Sequence, residues 1–339
     1  MNYLLLVLGL FLCQVTLAFG AAPDANDGVP LEAQMLSGKA LVEYLKKSQN
    51  LFEVNDEPTP DFKYKIMSKK FMSQYRREPP VNDDNDPDIP ENYDPRIIWP
   101  NCSSLFTIPD QANCGSCWAV STAAAISDRL CIASKGKNQV FISSADILSC
   151  CDTCGFGCDG GITFRAWEYF ATKGSVSGGH FEAPNCCRPY YFHPCGQHGN
   201  DTFYGYCPRF AQTPFCRRKC RIGFNKSYAQ DRIQGKSFYT VDYSVPAIQR
   251  EIMTKGSVVG SYDVFTDFSH YKSGIYRHTG GKPDGRHAVR IIGWGKENGT
   301  DYWLIANSWH DDWGENGYFR MIRGINDCGI EQDITAGDV

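Results

Sequence analysis

The pattern of apolar and polar positions divides the first part of the chain into a leader, a helical region and a linker. Residues 3–18 are almost wholly apolar and are followed by small residues. Over residues 31–54 the apolar side chains recur at helical spacing, and residues 62–75 form a second, basic amphipathic stretch. Residues 79–88 are acidic, rich in proline and almost devoid of side chains that pack, which is typical of an exposed linker.

Beyond the linker, the chain combines a predicted helix with cysteine-dense loops. An apolar, alanine-rich run over residues 118–134 predicts a buried helix. Residues 150–161 and 186–220 are rich in loop-forming residues and cysteines. Of the sixteen cysteines only Cys13 precedes the linker, and the other fifteen favour disulfide bonds in an oxidising compartment. Because fifteen is odd, at least one thiol is unpaired or pairs between molecules.

The last third of the chain has the pattern of a β-rich region. Residues 238–245 and 257–264 are predicted to be strands, with a helix over residues 246–255 between them. We therefore expect an α+β fold with two lobes. A helical, disulfide-rich lobe (about residues 105–225) faces a β-rich lobe (about residues 226–339) across a cleft, which is the natural place for a site.

The leader and the linker also predict the domain organisation. Residues 1–18 are interpreted as a secretory signal peptide cleaved near Ala18 or Gly20, with a signal anchor as the alternative. No later segment is long and apolar enough to span a bilayer, so we expect a soluble mature protein. Residues 19–87 are interpreted as a pro-segment and residues 88–339 as the mature domain; a small independent N-terminal domain is the alternative.

Composition limits the classes of partner. The net charge of only -4 does not indicate binding to nucleic acid or to an anionic membrane, and we expect neither. The chain is 42% hydrophobic, which is enough to bury a sizeable core. Among four glycosylation sequons, Asn200, Asn225 and Asn298 are the predicted sites, whereas a disulfide at Cys102 would hinder access to Asn101.

The segment QANCGSCWA, residues 111–119, carries the first candidate for catalysis. Cys117 would lie in the first turn of the predicted helix, where the helix dipole lowers a thiol pKa and favours the nucleophilic thiolate. The alternatives are that Cys114 and Cys117 are structural disulfide cysteines, or a redox or metal-binding pair.

A predicted hairpin supplies two further candidates. Strands over residues 287–294 and 302–309 are separated by an Asn298-Gly299 turn, which favours antiparallel pairing. With that turn, the register places His287 close to opposite Asn307, within a bulge or two. An asparagine amide can orient an imidazole, so the pair resembles the base and orienter of a nucleophile–base set. Alternatively, His287 and Asn307 are ordinary strand-end residues.

Together these segments resemble the papain-like cysteine peptidases, and within them the cathepsin B group. The signature Cys-Gly-Ser-Cys-Trp is characteristic of the family. The resemblance covers the chain from about residue 89 to the C-terminus and rests on several separated motifs in the right order. Besides residues 111–118, these are His287-Ala288, Asn307-Ser308-Trp309, Trp99-Pro100-Asn101-Cys102, Cys158-Asp159-Gly160-Gly161, Cys187-Arg188-Pro189-Tyr190, Tyr271-Lys272-Ser273-Gly274 and Asp327-Cys328-Gly329-Ile330-Glu331.

The resemblance implies a two-lobe papain-like fold and a role for each catalytic residue. Cys117 corresponds to the nucleophile, His287 to the base and then acid, and Asn307 to the residue that orients the imidazole. Gln111, with the backbone N–H of Cys117, would form the oxyanion hole. Trp309 would shield the contact between Asn307 and His287 from water.

The resemblance also implies substrate-binding residues. Gly160 and Gly161 would line the substrate backbone, where a Cβ would obstruct. Asp333 corresponds to an acid at the floor of the S2 pocket, which would let the site accept Arg as well as apolar side chains; a solvated C-terminal charge is the alternative. Arg286 departs from the family, which usually has Gly before the catalytic histidine, and a long cation there should alter substrate preference.

The same resemblance implies six disulfides and three cysteines left over. The pairs are Cys102–Cys131, Cys114–Cys158, Cys150–Cys216, Cys151–Cys154, Cys187–Cys220 and Cys195–Cys207. Cys117, Cys186 and Cys328 remain. The cluster over residues 150–158 also resembles a metal site, but an oxidising compartment favours disulfides, and we expect no metal and no cofactor.

The second departure lies in the loop that closes the primed side of the cleft in cathepsin B. There a His-His pair binds the C-terminal carboxylate of the substrate, and only the second histidine is present here, as His198, after Gln197. The acids that usually bind this loop are present as Asp110 and Asp312, but their usual cationic partners are not. We therefore expect a loosely held loop and relatively strong endopeptidase activity, with carboxydipeptidase activity through His198. Alternatively, Gln197 hydrogen-bonds Asp110 and the loop closes normally.

These interpretations combine into a secreted cysteine peptidase made as a zymogen. Its expected partners are protein or peptide substrates, its own pro-segment as inhibitor, and cystatin-type inhibitors. Residues 302–315 resemble gut cathepsin B-like peptidases of blood-feeding worms, which implies digestion of haemoglobin or other dietary protein in a lysosome or gut lumen. The alternative from another class is a catalytically inactive, disulfide-rich binding protein on the same fold.

Overall fold

The computed structural model of the chain describes residues 28–74, 77–78, 86–199, 202–209 and 211–339. The predicted signal peptide, most of the predicted linker and the sequon residue Asn200 therefore lie outside the described residues. Within the described ranges, no helix combines the length and the apolar character that a membrane crossing requires.

The described chain begins with helices, and most of its strands come late. The α-helices are α1 (Leu31–Gln34), α2 (Gly38–Ser48), α3 (Pro95–Ile98), α4 (Ser103–Phe106), α5 (Cys117–Ala133), α6 (Ser144–Cys150), α7 (Thr163–Thr172), α8 (Tyr228–Asp231) and α9 (Val245–Lys255). The strands are β1 (Phe52–Val54), β2 (Gln197–His198), β3 (Thr202–Phe203), β4 (Tyr239–Thr240), β5 (Val258–Phe265), β6 (Tyr271–Tyr276), β7 (Pro283–Glu297), β8 (Thr300–Ala306), β9 (Tyr318–Ile322) and β10 (Ile334–Ala336). Short 3₁₀ turns lie at Phe62–Tyr64, Lys69–Phe71, Gly157–Asp159, Thr266–His270 and Asp327–Gly329.

The helix α5 is the centre of the first lobe. Its apolar and small side chains are buried on almost every side, as expected for a helix without a polar face. It packs against α6 and α7 of its own lobe and against β7 of the other lobe. Because it begins at Cys117, the candidate nucleophile lies at the junction of the two lobes.

The second lobe is built on an eight-stranded sheet with the order β1-β6-β9-β8-β7-β5-β10-β4. The predicted strand over residues 257–264 and both hairpin strands are present, whereas the strand predicted over residues 238–245 is reduced to β4. The helix α9 begins after Ser244, whose side chain accepts a hydrogen bond from the backbone N–H of Ala247, and carries Pro246 in its first turn.

The predicted pro-segment is an integral part of this architecture. Its helices α1 and α2 are followed by β1, so the helical spacing extends less far than the pattern over residues 31–54 predicts. The strand β1 pairs antiparallel with β6 and forms the edge of the sheet. Leu41, Leu45 and Phe52 are buried in the core of the second lobe, so burial of these side chains holds the segment on the peptidase domain.

A buried ion pair, the lobe clamp, joins the two lobes beneath the cleft. Asp128 on α5 accepts hydrogen bonds of 2.8 and 2.9 Å from Arg290 on β7 and one from Ser257. Arg290 also donates to the backbone carbonyls of Ser104 and Thr107. Both charges are fully buried and closely bonded, so loss of one partner leaves the other uncompensated.

Substitution of Asp128 by Ala is therefore expected to destabilise the zymogen by about 3–5 kcal/mol, because Arg290 would stay buried without its carboxylate. Urea unfolding of the pro-enzyme in a Cys117→Ala background, which prevents self-cleavage, measures the effect. Glu168→Ala is the matched control, since it breaks an exposed pair with Arg165 worth at most about 1 kcal/mol. Equal losses for the two variants would contradict the clamp.

Candidate active site

The nucleophile candidate is held by the first turn of α5 and by a disulfide. Cys117 is fully buried, and its Sγ accepts a hydrogen bond from the backbone N–H of Ala288 at 3.4 Å. Three residues earlier, Cys114 is bonded to Cys158, which fixes the preceding turn. Cys117 has no disulfide partner. The two cysteines of the Cys-Gly-Ser-Cys segment therefore have different chemistry, one structural and one with a free thiol.

The base and its orienter meet across the β7–β8 hairpin. Ile291 pairs with Ile305 and a bulge follows before Gly293, so the register is shifted by one residue as the sequence allowed. His287 Nε2 donates to Asn307 Oδ1 at 2.8 Å. This hydrogen bond fixes the neutral tautomer that leaves Nδ1 as an acceptor. Nδ1 is buried without a hydrogen-bond partner among the described residues, so it is available to take a proton from a thiol.

Trp309 covers this histidine–asparagine pair. Its ring stacks on His287 with the centroids 4.7 Å apart and the planes 25° apart. Trp309 is 2% exposed, so it excludes water from the hydrogen bond between His287 and Asn307. That contact fits the shielding role that the resemblance implies.

The amide of Gln111, the candidate oxyanion-hole donor, is fixed by hydrogen bonds at both ends. Gln111 Nε2 donates to the backbone carbonyl of Lys65 at 2.9 Å and to that of Cys114 at 2.7 Å. Its Oε1 accepts from Ser308 Oγ, which fixes the orientation of the amide. Trp309 Nε1 donates to the same Lys65 carbonyl at 3.3 Å. Lys65 belongs to the predicted pro-segment, so a carbonyl of that segment is bonded to the candidate oxyanion-hole donor.

Residues 65–73, here called the blocking segment, fill the cleft. Met67 exchanges two backbone hydrogen bonds with Arg286, of 2.8 and 3.1 Å, beside His287. A Cβ added to Gly160 would lie 2.4 Å from the ring of Phe71, and one added to Gly161 would lie 2.5 Å from the ring of Trp118. Gly160 thus leaves room for a side chain of the blocking segment, whereas Gly161 leaves room for the packing of Trp118 within its own lobe.

Burial under the blocking segment keeps the catalytic pair neutral. Burial raises the pKa of the Cys117 thiol to about 12, although backbone N–H groups partly oppose this. Burial also lowers the pKa of the His287 imidazole to about 4, against the opposing effect of Asn307. The helix dipole predicts a lowered thiol pKa, but in this covered form desolvation of the thiolate is the larger effect. In the described state the thiol and the imidazole are therefore both neutral at pH 7, and the pair is inactive.

The loop on the primed side is held differently from the expectation. His198 Nδ1 bonds Asp312 Oδ1 at 2.9 Å, and its Nε2 lies 3.4 Å from Asp110 Oδ2 and 3.2 Å from the carbonyl oxygen of Cys195. The backbone N–H of Gly199 donates to Asp312 Oδ2 at 2.7 Å. The usual partners of both acids are missing, as the sequence indicates, but the single histidine contacts both acids and holds the loop more closely than expected. We call these contacts the loop latch.

Two consequences follow for the sequence predictions about this loop. Gln197 donates to Gly199 and not to Asp110, so the alternative of a Gln197–Asp110 bond is wrong. His198 is 8% exposed, and both ring nitrogens already have partners. In this conformation it therefore has no ring nitrogen free for a substrate carboxylate, contrary to the role that the resemblance implies.

His310 extends the loop latch. The two imidazole rings of His198 and His310 stack with centroids 4.1 Å apart and planes 28° apart. Both Nδ1 atoms bond the same carboxylate oxygen, Oδ1 of Asp312, at 2.9 and 3.0 Å. Among the described residues, these three side chains have ligand atoms within 4.8 Å of one another. Asp312 therefore holds both histidines at one end of the loop.

The acid assigned to the S2 pocket is paired within the protein. Asp333 Oδ2 accepts from the guanidinium of Arg286 at 2.7 Å. Arg286 is 7% exposed, so it is a buried partner of this acid rather than a free cation beside the cleft.

The structure contains the six disulfides that the resemblance implies. The bonds are Cys102–Cys131, Cys114–Cys158, Cys150–Cys216, Cys151–Cys154, Cys187–Cys220 and Cys195–Cys207. The cysteines outside these six bonds, Cys117, Cys186 and Cys328, are all buried. Of the predicted glycosylation sites, Asn225 and Asn298 are exposed.

Sequence reasoning missed three contributors to the site. Nothing in the pattern indicates that Lys65 supplies the carbonyl on Gln111, because a backbone atom carries no side-chain signal. Ser308 adjoins Asn307 in a quoted motif, but its bond to Gln111 depends on how the two lobes meet. His310 stands two residues before Asp312, but the sequence pattern does not indicate that it bonds this acid.

Comparison with known proteins gives one family and relatives of similar length. Residues 89–337 match the family described as papain family cysteine protease. The chain is 59% identical over 342 residues to "Cathepsin B-like cysteine proteinase 2" of Haemonchus contortus, covering 100% of this chain and 98% of that protein. It is 41% identical to the "Gut-specific cysteine proteinase" of Caenorhabditis elegans, covering 96% of each. The solved structure of proCathepsin B S9 from Trypanosoma congolense is similar with a TM-score of 0.72 at 32% identity, covering 89% of this chain and 98% of that one.

Proposed function

The chain belongs to the papain family of cysteine proteases and is a cathepsin B-like peptidase, and on this premise we propose that it is made as a secreted zymogen. Residues 1–18 would be the signal, 19–87 the pro-segment and 88–339 the mature enzyme. The main support for the proposal is the hydrogen bond from the Gln111 amide to the backbone carbonyl of Lys65. It lies at the site of Cys117, whose thiol is in no disulfide. A site blocked at this point becomes usable only when the pro-segment leaves.

The proposed catalytic cycle gives each of these side chains one role. His287 Nδ1 takes the thiol proton, and the Cys117 thiolate attacks the substrate carbonyl carbon. The resulting oxyanion is stabilised by Gln111 Nε2 and the backbone N–H of Cys117. His287 then gives its proton to the leaving amine, which breaks the peptide bond and leaves a thioester. Water, deprotonated by His287, hydrolyses the thioester and regenerates the thiol.

Active-site titration with a peptidyl epoxide tests this proposal against the inactive binding protein. The proposal requires one equivalent of label on Cys117 after the pro-segment is removed, and no label in a Cys117→Ala variant. Cys186 is a buried internal control that should stay unlabelled. A processed protein that takes up no label at Cys117 would establish the inactive alternative.

The loop latch supports an endopeptidase whose dipeptide release is weak. A carboxydipeptidase needs a cation free to bind the terminal carboxylate, but both ring nitrogens of His198 are engaged. Long substrates, in turn, must displace the loop from Asp312 and Asp110. We propose that opening of this loop limits endopeptidase turnover.

Substitution of Asp312 by Ala is accordingly expected to raise kcat/KM for an internal peptide bond by about tenfold or more. The change removes the bonds from His198 and from the N–H of Gly199, and hydrogen bonds to a charged group contribute about 1.5–3 kcal/mol. Asp311→Ala is the matched control, because Asp311 is largely exposed and contacts His310 alone among the described ion-pair partners. Unchanged kinetics in Asp312→Ala would show that loop opening does not limit turnover.

A digestive role is supported by two observations. Residues 302–315 resemble gut peptidases of blood-feeding worms, and a relative of 41% identity is named "Gut-specific cysteine proteinase". We propose a lysosomal or gut-lumen enzyme that degrades dietary protein such as haemoglobin. Its own pro-segment and cystatin-type proteins would be its inhibitors.

A further inference from the structure

A cluster of three charged side chains lies beside the catalytic histidine. The guanidinium of Arg286 bonds Asp263 Oδ1 and Asp333 Oδ2, each at 2.7 Å, and also donates to the carbonyl of Ser261 at 3.4 Å. The side chain of Asp263 is 5% exposed and that of Arg286 is 9% exposed, whereas the side chain of Asp333 is 39% exposed. Only the Asp333 carboxylate thus has substantial access to an incoming side chain.

The blocking segment shows that a bound peptide meets this cluster. Arg286 directly precedes His287, and its backbone pairs with Met67. Further along the same segment, the backbone N–H of Ser73 donates to Asp263 Oδ1 at 2.9 Å. The side chain of Gln332, the neighbour of Asp333, donates to Ser73 Oγ at 3.0 Å. A chain that lies in the cleft therefore passes over the cluster.

We propose that Arg286 determines specificity by holding the Asp333 carboxylate as an internal ion pair, so that the pocket selects neutral apolar side chains and disfavours Arg. The proposal rests on the proposed peptidase function and names the substrate class for the same site. The affected position is the residue before the one that donates the scissile carbonyl, which the resemblance assigns to the Asp333 pocket.

The charges explain the preference. A lone carboxylate in a partly buried pocket attracts a cationic side chain strongly. Here a guanidinium in direct contact cancels most of that attraction, and the second carboxylate, on Asp263, is buried on the far side of the guanidinium. An incoming Arg would lose hydration and meet a partner already bonded. Arg286 is already paired with two carboxylates, so an acidic side chain gains no free cation.

Paired substrates that differ only in this side chain, Leu or Arg, test the proposal in the processed enzyme. The wild-type enzyme should cleave the Leu peptide with a kcat/KM at least tenfold higher. Asp263→Asn with Arg286→Gln removes one charge of each sign and keeps similar volumes, leaving Asp333 as a lone acid. In that variant the Arg:Leu ratio of kcat/KM should rise at least tenfold.

Asp333→Asn is the companion variant in both backgrounds. It should change the Arg:Leu ratio less than threefold in the wild-type enzyme, where Arg286 already cancels the charge, and should abolish the gain in the double variant. A wild-type enzyme that prefers Arg, or an Asp333→Asn variant that loses Arg cleavage outright, would overturn the proposal. A double variant that cleaves the Leu peptide with an unchanged Arg:Leu ratio would also overturn the proposal. If neither peptide is cleaved by the wild-type enzyme, the proposed function itself fails.

Discussion

Removal of the pro-segment is expected to raise the rate at which iodoacetamide alkylates Cys117 at pH 7 by about 10³-fold or more. With the pKa of the thiol raised to about 12 in the zymogen, its thiolate fraction at pH 7 is on the order of 10⁻⁵. A histidine-paired cysteine in an open site has a pKa of about 3–4, so nearly all of it is thiolate. The zymogen and the processed enzyme should therefore differ both in the thiolate fraction of Cys117 and in its access to iodoacetamide.

The expected ratio of alkylation rates is smaller than the ratio of thiolate fractions, because a thiolate of low pKa is also a weaker nucleophile. Nucleophilicity falls with thiol pKa, and over about eight pKa units this costs about 10³–10⁴ in rate. The net gain from ionisation is then about 10–100-fold. Access supplies the rest, because Cys117 is fully buried and a local opening that costs about 3 kcal/mol leaves under about 1% of the zymogen reactive.

The pH profiles of alkylation should differ in slope as well as in height. Alkylation of the zymogen should keep rising with pH beyond pH 9, because the thiol pKa lies near 12. Alkylation of the processed enzyme should already be level at pH 6. Mass spectrometry of the Cys117 peptide measures both. Cys186 is the internal control, since burial raises the pKa of that thiol to about 11 and its Sγ bonds the carbonyl of Ala183, which lies outside the blocking segment. Equal rates at Cys117 in the two forms would show that the pro-segment does not control the thiol.

The sequence predicts the catalytic hairpin well because its register depends on local rules. The Asn298-Gly299 turn and the alternation of the flanking strands are sufficient to bring His287 near Asn307, and the structure differs by one bulge. The position of Cys117 follows in the same way, because an apolar, alanine-rich run predicts where a buried helix begins. These features are encoded within short stretches of chain.

The features that the sequence leaves unpredicted are pairings between distant side chains. Arg286 and Asp333 are 47 residues apart, and His198 and Asp312 are 114 apart. A charged residue in a sequence does not indicate whether water or another charge will be its partner. From the sequence, Arg286 is therefore interpreted only as a long cation beside the cleft, and Asp312 as an acid whose usual partner is missing. Both interpretations change once burial brings the partners into contact.

Substitution of Gln111 by Ala is expected to lower the kcat of the processed enzyme by about 10²–10³-fold with little change in KM. The amide is already aligned in the zymogen, where Ser308 orients it and the Lys65 carbonyl accepts its N–H. A donor placed before the reaction begins stabilises the oxyanion without reorganisation, so its loss affects the transition state more than substrate binding.

Two matched measurements separate oxyanion stabilisation from general damage to the site. Ser308→Ala removes only the hydrogen bond that orients Gln111 and should lower kcat less than about tenfold. Alkylation of Cys117 by iodoacetamide forms no oxyanion, so the Gln111→Ala variant should react at nearly the wild-type rate. If alkylation falls in parallel with kcat, Gln111 supports the nucleophile rather than the transition state. If KM rises while kcat is unchanged, its amide contributes equally to substrate and transition-state binding.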